Sequence, residues 1–281
     1  MNAWKVSTVV LGAFIVVTVA VLVALYSITE RYINDMFQQG CHGASHTSIP
    51  SNFTSGPLTL QDTMTWCTHA KSLGCRTVAP HDGVHVMPER LGFVLQKRTE
   101  RLVCFRGSFS TTELLLDMHA RQTPALGGHV HSGYYSIYSR VRPFLAPYLV
   151  GATHVALVGH SLGGALAVLT AADVLHDSHA TVDVVAVGAR KVGDTRFTER
   201  LTHNLKNSTK SSLRNVINVT YFIPLTPAGA FGNYAHAGTL YLYYAELGNW
   251  TRNHALRTYR QLAEQTPAAR IDAASHDFTA S

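Results

Sequence analysis

One serine of this 281-residue chain has the flanks of an activated nucleophile. Residues 159–163 read GHSLG, which fits the pattern G-x-S-x-G around Ser161. The apolar run 153–158 before it predicts a buried strand, and the helix formers of 165–175 follow. At such a turn, small residues let the backbone pack, and the helix amino terminus favours negative charge on a reacting oxygen. The spacing indicates a serine nucleophile for acyl transfer rather than a phosphate loop, because no lysine follows the glycines.

Further strand-like segments alternate with helical ones along the chain. Helical spacing covers residues 58–73, and the strand-like runs are 91–95, 102–105, 155–158, 182–187 and 216–223. Strands that alternate with helices are typical of a mostly parallel sheet with helices on both faces. The predicted fold class is therefore α/β.

The composition excludes several other functions. Hydrophobic residues make up 46% of the chain and charged residues 14%, which suits a globular core. The net charge is +6, but no basic run is dense enough to indicate nucleic acid. Sixteen histidines are scattered, without H-E-x-x-H or paired C-x-x-C spacing, so we expect no metal site.

Residues 6–28 contain no charged side chain. About 20 apolar residues cross a bilayer as a helix, whereas the core of a cleaved signal is shorter. The sequence therefore favours an uncleaved signal-anchor over a secreted form. Because Lys5 precedes the span, we expect residues 1–5 to be cytosolic and the rest to be lumenal or extracellular, as in a single-pass type II protein. A stalk (29–57), one domain (58–265) and a tail (266–281) would follow.

Two further features agree with a secretory compartment. Four N-x-[ST] triplets lie beyond the span and predict glycosylation. These sites are Asn52, Asn207, Asn218 and Asn249. All four cysteines, Cys41, Cys67, Cys75 and Cys104, lie in the same region. They could form two disulfides, or some could be buried free thiols.

The chain resembles the class 3 lipase family, which includes secreted fungal triacylglycerol lipases, in more than the GHSLG segment. Matching pieces occur in the family's order between about Leu60 and Leu262. They are FRGS (105–108), VHSGY (130–134), VGARKVGD (187–194), IPLTP (223–227) and AHAG (235–238). The resemblance implies an α/β-hydrolase fold. It also implies hydrolysis of acylglycerol- or phospholipid-like esters through an acyl-serine, without a cofactor.

The resemblance also assigns roles around the nucleophile. The backbone N–H groups of Leu162 and Ser108 would hold the oxyanion, and the Ser108 hydroxyl could add a bond. Residues 109–119 would form a lid over the site. Its apolar side chains are Leu114, Leu115, Leu116 and Met118. They would shield the site in water and open against lipid, unless they pack inward as ordinary core.

The resemblance assigns the catalytic base and acid less directly. Among His160, His236 and His254, the segment around His254 resembles the family's closing D-H-x-x-Y, so His254 is the predicted base. The family's acid position is occupied by Tyr221, which is not an anion at neutral pH. Either Asp194 orients the histidine, or Tyr221 hydrogen-bonds it, or no residue does.

Three functions remain open at this stage. The first is hydrolysis of lipid esters at a membrane or lipid aggregate. The second is a catalytically degraded lipase fold that binds lipid or a partner, a hypothesis motivated by Tyr221. The third is an esterase for small soluble esters. The oligomeric state is not predicted by any of these features.

Overall fold

The computed structural model describes residues 49–75, 83–208, 210–221, 223–227, 232–248, 250–265 and 268–272, together with positions 19, 23, 24, 27 and 31. The predicted cytosolic terminus (1–5) and membrane span (6–28) lie outside these continuous ranges. Within the described residues, no helix combines the length and the apolarity that a bilayer crossing requires.

An eight-stranded sheet forms the centre of the domain, in the order β1-β2-β3-β6-β7-β9-β11-β12. Strands β3, β6, β7, β9 and β11 run parallel, while β1, β2 and β12 pair antiparallel at the two ends. Their bounds are β1 Val84–Val86, β2 Gly92–Lys97, β3 Glu100–Phe105, β6 His154–His160, β7 Thr181–Val187, β9 Ser212–Asn218, β11 Thr239–Tyr243 and β12 Ala269–Asp272. The predicted mostly parallel sheet of an α/β fold is thereby confirmed.

Alternate residues of the central strands fill two separate cores. On β6, Val155 and Leu157 belong to one core, whereas Ala156 and Val158 belong to the other. Successive side chains of a strand point to opposite faces of the sheet, so a strand covered on both faces needs an unbroken apolar run. This requirement explains why the segment before Ser161 is apolar throughout.

Helices cover both faces of this sheet. Their bounds are α1 Leu60–Cys75, α2 Thr111–Met118, α3 Ser132–Leu149, α4 Leu162–Asp177, α5 Thr195–Asn207, α6 Trp250–His254 and α7 Leu256–Gln265. Helices α3, α4 and α5 pack on one face, and α1 and α7 pack on the other. A small antiparallel sheet, in the order β10-β8-β5-β4, lies beside them. Its strands are β4 Gln122–Ala125, β5 Gly128–His131, β8 Gly193–Asp194 and β10 Tyr234–Ala235.

The strand predicted over 216–223 ends earlier, at Asn218. The Asn218 side-chain oxygen accepts bonds from the N–H and the hydroxyl of Thr220, and the Asn218 carbonyl accepts from the Tyr221 N–H. An asparagine that bonds the backbone two residues ahead makes a turn. The chain therefore leaves the sheet just before Tyr221.

Both predicted boundaries of the domain need correction. Ile49 and Phe53, assigned to a stalk, are 2% and 5% exposed and belong to the core beneath α1. Residues 269–272, assigned to a loose tail, form β12 and pair with β11. Neither short segment carries enough periodicity to reveal its partner, because the contacts that stabilise it are distant in sequence.

A buried carboxylate joins the amino-terminal segment to the sheet. Asp183 of β7 accepts a bond from the Leu58 N–H at 2.8 Å and from the Ser212 hydroxyl. Arg214 of β9 lies 2.9 Å from the same carboxylate and also donates to the Leu58 carbonyl at 2.8 Å. The pair thus satisfies both backbone groups of Leu58, where the chain enters the domain.

The cysteines differ from the prediction of two disulfides. Cys67 and Cys104 are buried free thiols in the core between α1 and the sheet, where desolvation raises the pKa of both. Cys75 is disulfide-bonded, and Cys41 lies outside the described residues. The alternative of free buried thiols therefore holds for one pair, and the prediction of two bridges is wrong.

We expect Asp183→Asn to destabilise the fold by about 3 kcal/mol, because it leaves the Arg214 guanidinium without its buried counter-charge. The urea midpoint of unfolding measures this change. Asp177→Asn is the matched control, since the Asp177 side chain is 61% exposed and its ion pairs are solvated. That control should change stability by no more than about 0.5 kcal/mol. Equal urea midpoints for the two variants would contradict a stabilising role for the Asp183–Arg214 pair.

Candidate active site

Ser161 stands at a strained turn between β6 and α4. Its backbone has φ 56° and ψ −123°, a left-handed conformation that costs energy for a residue with a Cβ. The Ser161 N–H donates to the Val187 carbonyl at 2.8 Å, and the Ser161 carbonyl accepts from the Gly164 N–H at 2.9 Å. These bonds hold the turn from both sides, and this is the geometry predicted for G-x-S-x-G.

The flanking glycines are required by close backbone contacts. A Cβ at Gly159 would lie 2.1 Å from the carbonyl group of Gly163, and a Cβ at Gly163 would lie 2.4 Å from the Phe105 carbonyl oxygen. Both distances are far below a normal van der Waals contact. The small residues therefore let helix α4 start directly against the ends of β3 and β6.

The structure brings His254 to Ser161. The His254 Nε2 atom lies 2.8 Å from the Ser161 Oγ atom, although the residues are 93 positions apart. His254 is the last residue of α6, and its backbone carbonyl accepts a bond from His160 Nε2 at 2.9 Å. The geometry suits proton transfer from the serine hydroxyl to the imidazole.

The opposite nitrogen of this imidazole has no such contact. Among the described residues, no hydrogen-bond partner reaches the buried Nδ1 atom of His254. Instead, the rings of Tyr221 and His160 pack against the imidazole, with centroid distances of 4.6 and 4.7 Å and interplanar angles of 31° and 33°. Tyr221 thus contacts the histidine through its ring.

Asp194 does not orient His254, and this prediction is corrected. Its carboxylate caps α5 by accepting from the Phe197 N–H at 2.8 Å, and it binds the N–H and Nδ1 of His129 at 3.1 and 3.0 Å. These bonds lower the pKa of Asp194 despite its partial burial. Its place in the small sheet beside β5 and β10 explains the difference, because the loop after β7 carries it away from the serine.

Burial decides the electrostatics of the site. Desolvation lowers the pKa of His254 well below its usual value, and the nearby His160 and Arg190 lower it further. Desolvation also lowers the pKa of His160 to about 4 and raises that of Tyr221 to about 12. At neutral pH all three rings are therefore uncharged, while Arg190 acts as a cation on His254 and Tyr221, and Lys71 acts on His160.

The predicted oxyanion residues lie next to the nucleophile. Leu162 is the first residue of α4, so its N–H has no acceptor within the helix. Gly107 brings the other loop close, since a Cβ there would lie 3.4 Å from the Ser161 Cβ. The Ser108 hydroxyl, however, donates to Asp117 at 2.5 Å. This leaves the backbone N–H of Ser108, rather than its hydroxyl, for an oxyanion.

Helix α2 occupies the predicted lid segment and is anchored by buried charges. Ser110 caps it by accepting from the Glu113 N–H at 3.1 Å. Glu113 forms a bidentate ion pair with Arg106, with both bonds 2.8 Å long. Burial raises the pKa of Asp117 to about 7, and the Asp117 carbonyl accepts from Arg190. The helix is therefore held at its first and last turns.

The apolar side chains of α2 divide between two environments. Leu115 and Met118 are 54% and 64% exposed, whereas Leu116 packs against the core and Leu114 is half-buried. The core interpretation therefore holds for Leu116, whereas the lid role of the segment stays a prediction. Two large apolar side chains on one exposed turn form a surface that water does not favour.

Asn218 has a role that the sequence pattern did not reveal. It is fully buried, and its amide donates to the carbonyls of Ala245 and Asn253 at 3.0 and 3.1 Å. The predicted glycosylation at Asn218 is therefore wrong, because the folded domain has no space for a glycan there. Asn52 and Asn207 are exposed, and Asn249 lies outside the described residues. The position of Asn218 at a strand end was the available signal.

The third candidate histidine is engaged elsewhere. His236 lies 2.8 Å from the Pro224 carbonyl through Nε2, and burial lowers its pKa to about 4. His236 therefore holds the 223–227 segment in place and is not the partner of Ser161. Across the described ranges, no group of three His, Cys, Asp or Glu side chains could hold a metal ion.

The sheet, the helices on both faces and the strained serine turn define an α/β-hydrolase fold. Residues 102–231 match the sequence family described as Lipase (class 3). This segment, slightly less than half of the chain, is therefore similar to class 3 lipases.

Individual lipases are also similar to this chain. A lipase of Rhizomucor miehei is 31% identical over 152 residues, covering 50% of this chain and 40% of that protein. The secreted mono- and diacylglycerol lipase 2 of Gibberella zeae is 26% identical over 179 residues, covering 52% and 44%. The chain thus spans less than half the length of these curated relatives. The solved Rhizomucor miehei triacylglyceride lipase superposes with a TM-score of 0.52 at 24% identity, covering 65% of this chain and 79% of that one, and so shares the fold.

The depressed pKa of His254 makes a pH prediction. A base must be neutral to accept the serine proton, and His254 stays neutral below pH 6.5 because its pKa lies well below that value. The rate of covalent labelling by a fluorophosphonate should therefore stay constant from pH 8 to pH 6.5 and fall only at lower pH. Arg190→Gln removes a cation and should move this acid limb upward. A limb centred at or above pH 6.5 in the unmodified protein would contradict this reading.

Proposed function

We propose that this chain hydrolyses carboxylic esters of acylglycerol- or phospholipid-like lipids through an acyl-serine intermediate. The observation that carries the proposal is the 2.8 Å contact between Ser161 Oγ and His254 Nε2 at a strained strand-to-helix turn. Two similar proteins are called a lipase and a mono- and diacylglycerol lipase, which favours lipid esters.

The geometry suits a two-step reaction. The Ser161 oxygen bonds to the ester carbonyl carbon while its proton moves to His254 Nε2, and the carbonyl oxygen becomes the oxyanion. The N–H groups of Leu162 and Ser108 would receive that charge, and losing one such donor typically costs about 3 kcal/mol. His254 then returns the proton to the departing alcohol. Water repeats the sequence on the acyl-serine and releases the acid.

The missing acid sets the expected rate. An acceptor at Nδ1 would hold the proton there and leave Nε2 free to act as base. His254 has no such acceptor among the described residues, so both neutral tautomers compete. In a triad that loses its acid function, the rate falls by about four orders of magnitude. We therefore propose a slow hydrolase.

The same orphaned nitrogen favours a second candidate function. A fold that kept the serine, the histidine and the lid contacts but lost turnover could bind a lipid or a protein partner. This hypothesis and the slow hydrolase differ in one property, the reactivity of the serine.

Location and surface complete the proposal. A secreted relative and the exposed sequons at Asn52 and Asn207 support a domain in the lumen or outside the cell. We propose that residues 6–28 anchor it to the membrane. The exposed Leu115 and Met118 favour an aggregated lipid over the third candidate, an esterase for small soluble esters.

Substitutions at the site separate these functions. Ser161→Ala and His254→Ala should abolish ester hydrolysis and fluorophosphonate labelling. Tyr221→Asp should raise kcat by about tenfold or more, because a carboxylate beside the imidazole would fix the tautomer and stabilise the imidazolium. Hydrolysis of a short-chain ester by the purified full-length protein measures the loss and the gain of activity.

Asp194→Asn is the control for this series. Asparagine caps a helix as well as aspartate does, so the fold should persist and activity should stay within about twofold. Loss of activity in this variant would restore Asp194 as the acid. A Ser161 that is unreactive in the unmodified protein would favour the binding function.

The lid surface makes a separate prediction. Replacing Leu115 and Met118 together by serine should reduce hydrolysis of a micellar ester by about tenfold, because less apolar area is buried against the aggregate. Hydrolysis of the same ester below its critical micelle concentration should not change. Val150→Ser is the control, since Val150 is a 78% exposed apolar residue. It precedes β6 and therefore lies at the end of that strand opposite Ser161. Equal losses on both forms of the ester would indicate a soluble substrate.

A further inference from the structure

Tyr221 stands at the sequence position that corresponds to the acid of class 3 lipases, and its ring packs against the face of the His254 imidazole. Tyr221 is 3% exposed, and its ring centroid lies 4.6 Å from that of the imidazole. The interplanar angle of 31° is closer to stacking than to an edge contact. The imidazole therefore faces aromatic π density.

Proton transfer changes what this contact contributes. When His254 accepts the serine proton, the imidazole becomes a cation in a buried site, and desolvation disfavours that charge. A cation within about 6 Å of an aromatic centroid is attracted by the negative face of the ring. The attraction appears only after proton transfer, so it lowers the barrier rather than stabilising the resting site.

We propose that Tyr221 is a positioning residue whose ring face takes the place of the acid, fixing the plane of the His254 imidazole and stabilising its imidazolium. The inference rests on the proposed function for its kinetic consequences. The proton that leaves Ser161 Oγ ends on His254 Nε2, while the new bond joins Oγ to the carbonyl carbon. No proton is exchanged with Tyr221.

The other groups around the imidazole do not supply this stabilisation. Arg190 is a cation and opposes the imidazolium, as its effect on the pKa of His254 shows. His160 packs at 4.7 Å, but its Nε2 is committed to the His254 carbonyl, so it holds the backbone of the base. The Tyr259 hydroxyl and the His254 Cε1 atom both border Gly188, where a Cβ would lie 2.9 and 3.1 Å from them, and this hydroxyl accepts a bond from the Asn218 N–H. Tyr221 is thus the aromatic ring placed to stabilise the positive charge of the His254 imidazolium.

Two substitutions test the ring face against other roles of Tyr221. Tyr221→Phe keeps the ring and should retain kcat within about threefold. Tyr221→Leu keeps apolar volume but loses the ring, and kcat should fall by about thirtyfold, equivalent to about 2 kcal/mol, with KM unchanged. In Tyr221→Leu the acid limb of kcat/KM should also move to lower pH, because the imidazolium is less stable. Tyr244→Leu, at an exposed tyrosine, should change neither quantity.

A second measurement keeps the inference separate from the proposed function. NMR titration of the His254 Cε1 proton, in the Ser161→Ala background and assigned with His254→Asn, reports the pKa without turnover. We expect Tyr221→Leu to lower this pKa by about one unit and Tyr221→Phe to leave it in place. If the protein hydrolyses nothing but this difference is present, the proposed function fails and the role of the ring stands.

Three results would overturn the inference. An unchanged His254 pKa in Tyr221→Leu would mean that the ring does not act on the charge. An equal loss in Tyr221→Phe and Tyr221→Leu would assign the effect to the hydroxyl. A loss of kcat in Tyr221→Leu with no movement of the acid limb would indicate a merely structural role.

Discussion

The contact between the Ser161 hydroxyl and the His254 imidazole depends on two backbone constraints that meet at 2.8 Å. The first is the left-handed turn at Ser161, which presents the hydroxyl above the carboxyl edge of the parallel strands. The second is the placement of α6, whose end is held by bonds from His160 to the His254 carbonyl and from Asn218 to the Asn253 carbonyl. Each bond joins a strand end to the helix that carries the base. Much of the surrounding structure preserves this one distance.

The constraint on the imidazole differs from that in a complete triad. A carboxylate at Nδ1 would determine the tautomer and balance the charge in one interaction. In this chain the functions are distributed: backbone bonds position the histidine, and aromatic rings pack against it. This arrangement fixes the orientation of the imidazole, but it does not determine which ring nitrogen carries the proton. It explains how the histidine keeps its place although no described residue bonds its Nδ1 atom.

Buried charged groups link helix α2 to the surroundings of Ser161. Arg106 and Glu113 pair beneath the first turn of α2, while Asp117 accepts from Ser108 beneath the last turn. Arg190 bonds the Asp117 carbonyl and also acts on the electrostatics of His254. Movement of α2 would therefore alter the electrostatic environment of His254. The exposed Leu115 and Met118 are the side chains through which an apolar surface could act on this network.

Local physics made part of this protein predictable from its residues. The serine turn is encoded within about twenty consecutive positions, because the strand, the glycines and the helix adjoin in sequence and each needs a recognisable composition. The tertiary structure alone decided which distant groups meet. Asp194 lies in the small sheet, Asn218 is a buried link to α6 rather than a glycan site, and two cysteines stay unpaired in a core. A pattern along the chain specifies what a residue can do, but the partner it finds depends on how strands and loops far apart in sequence cross in space.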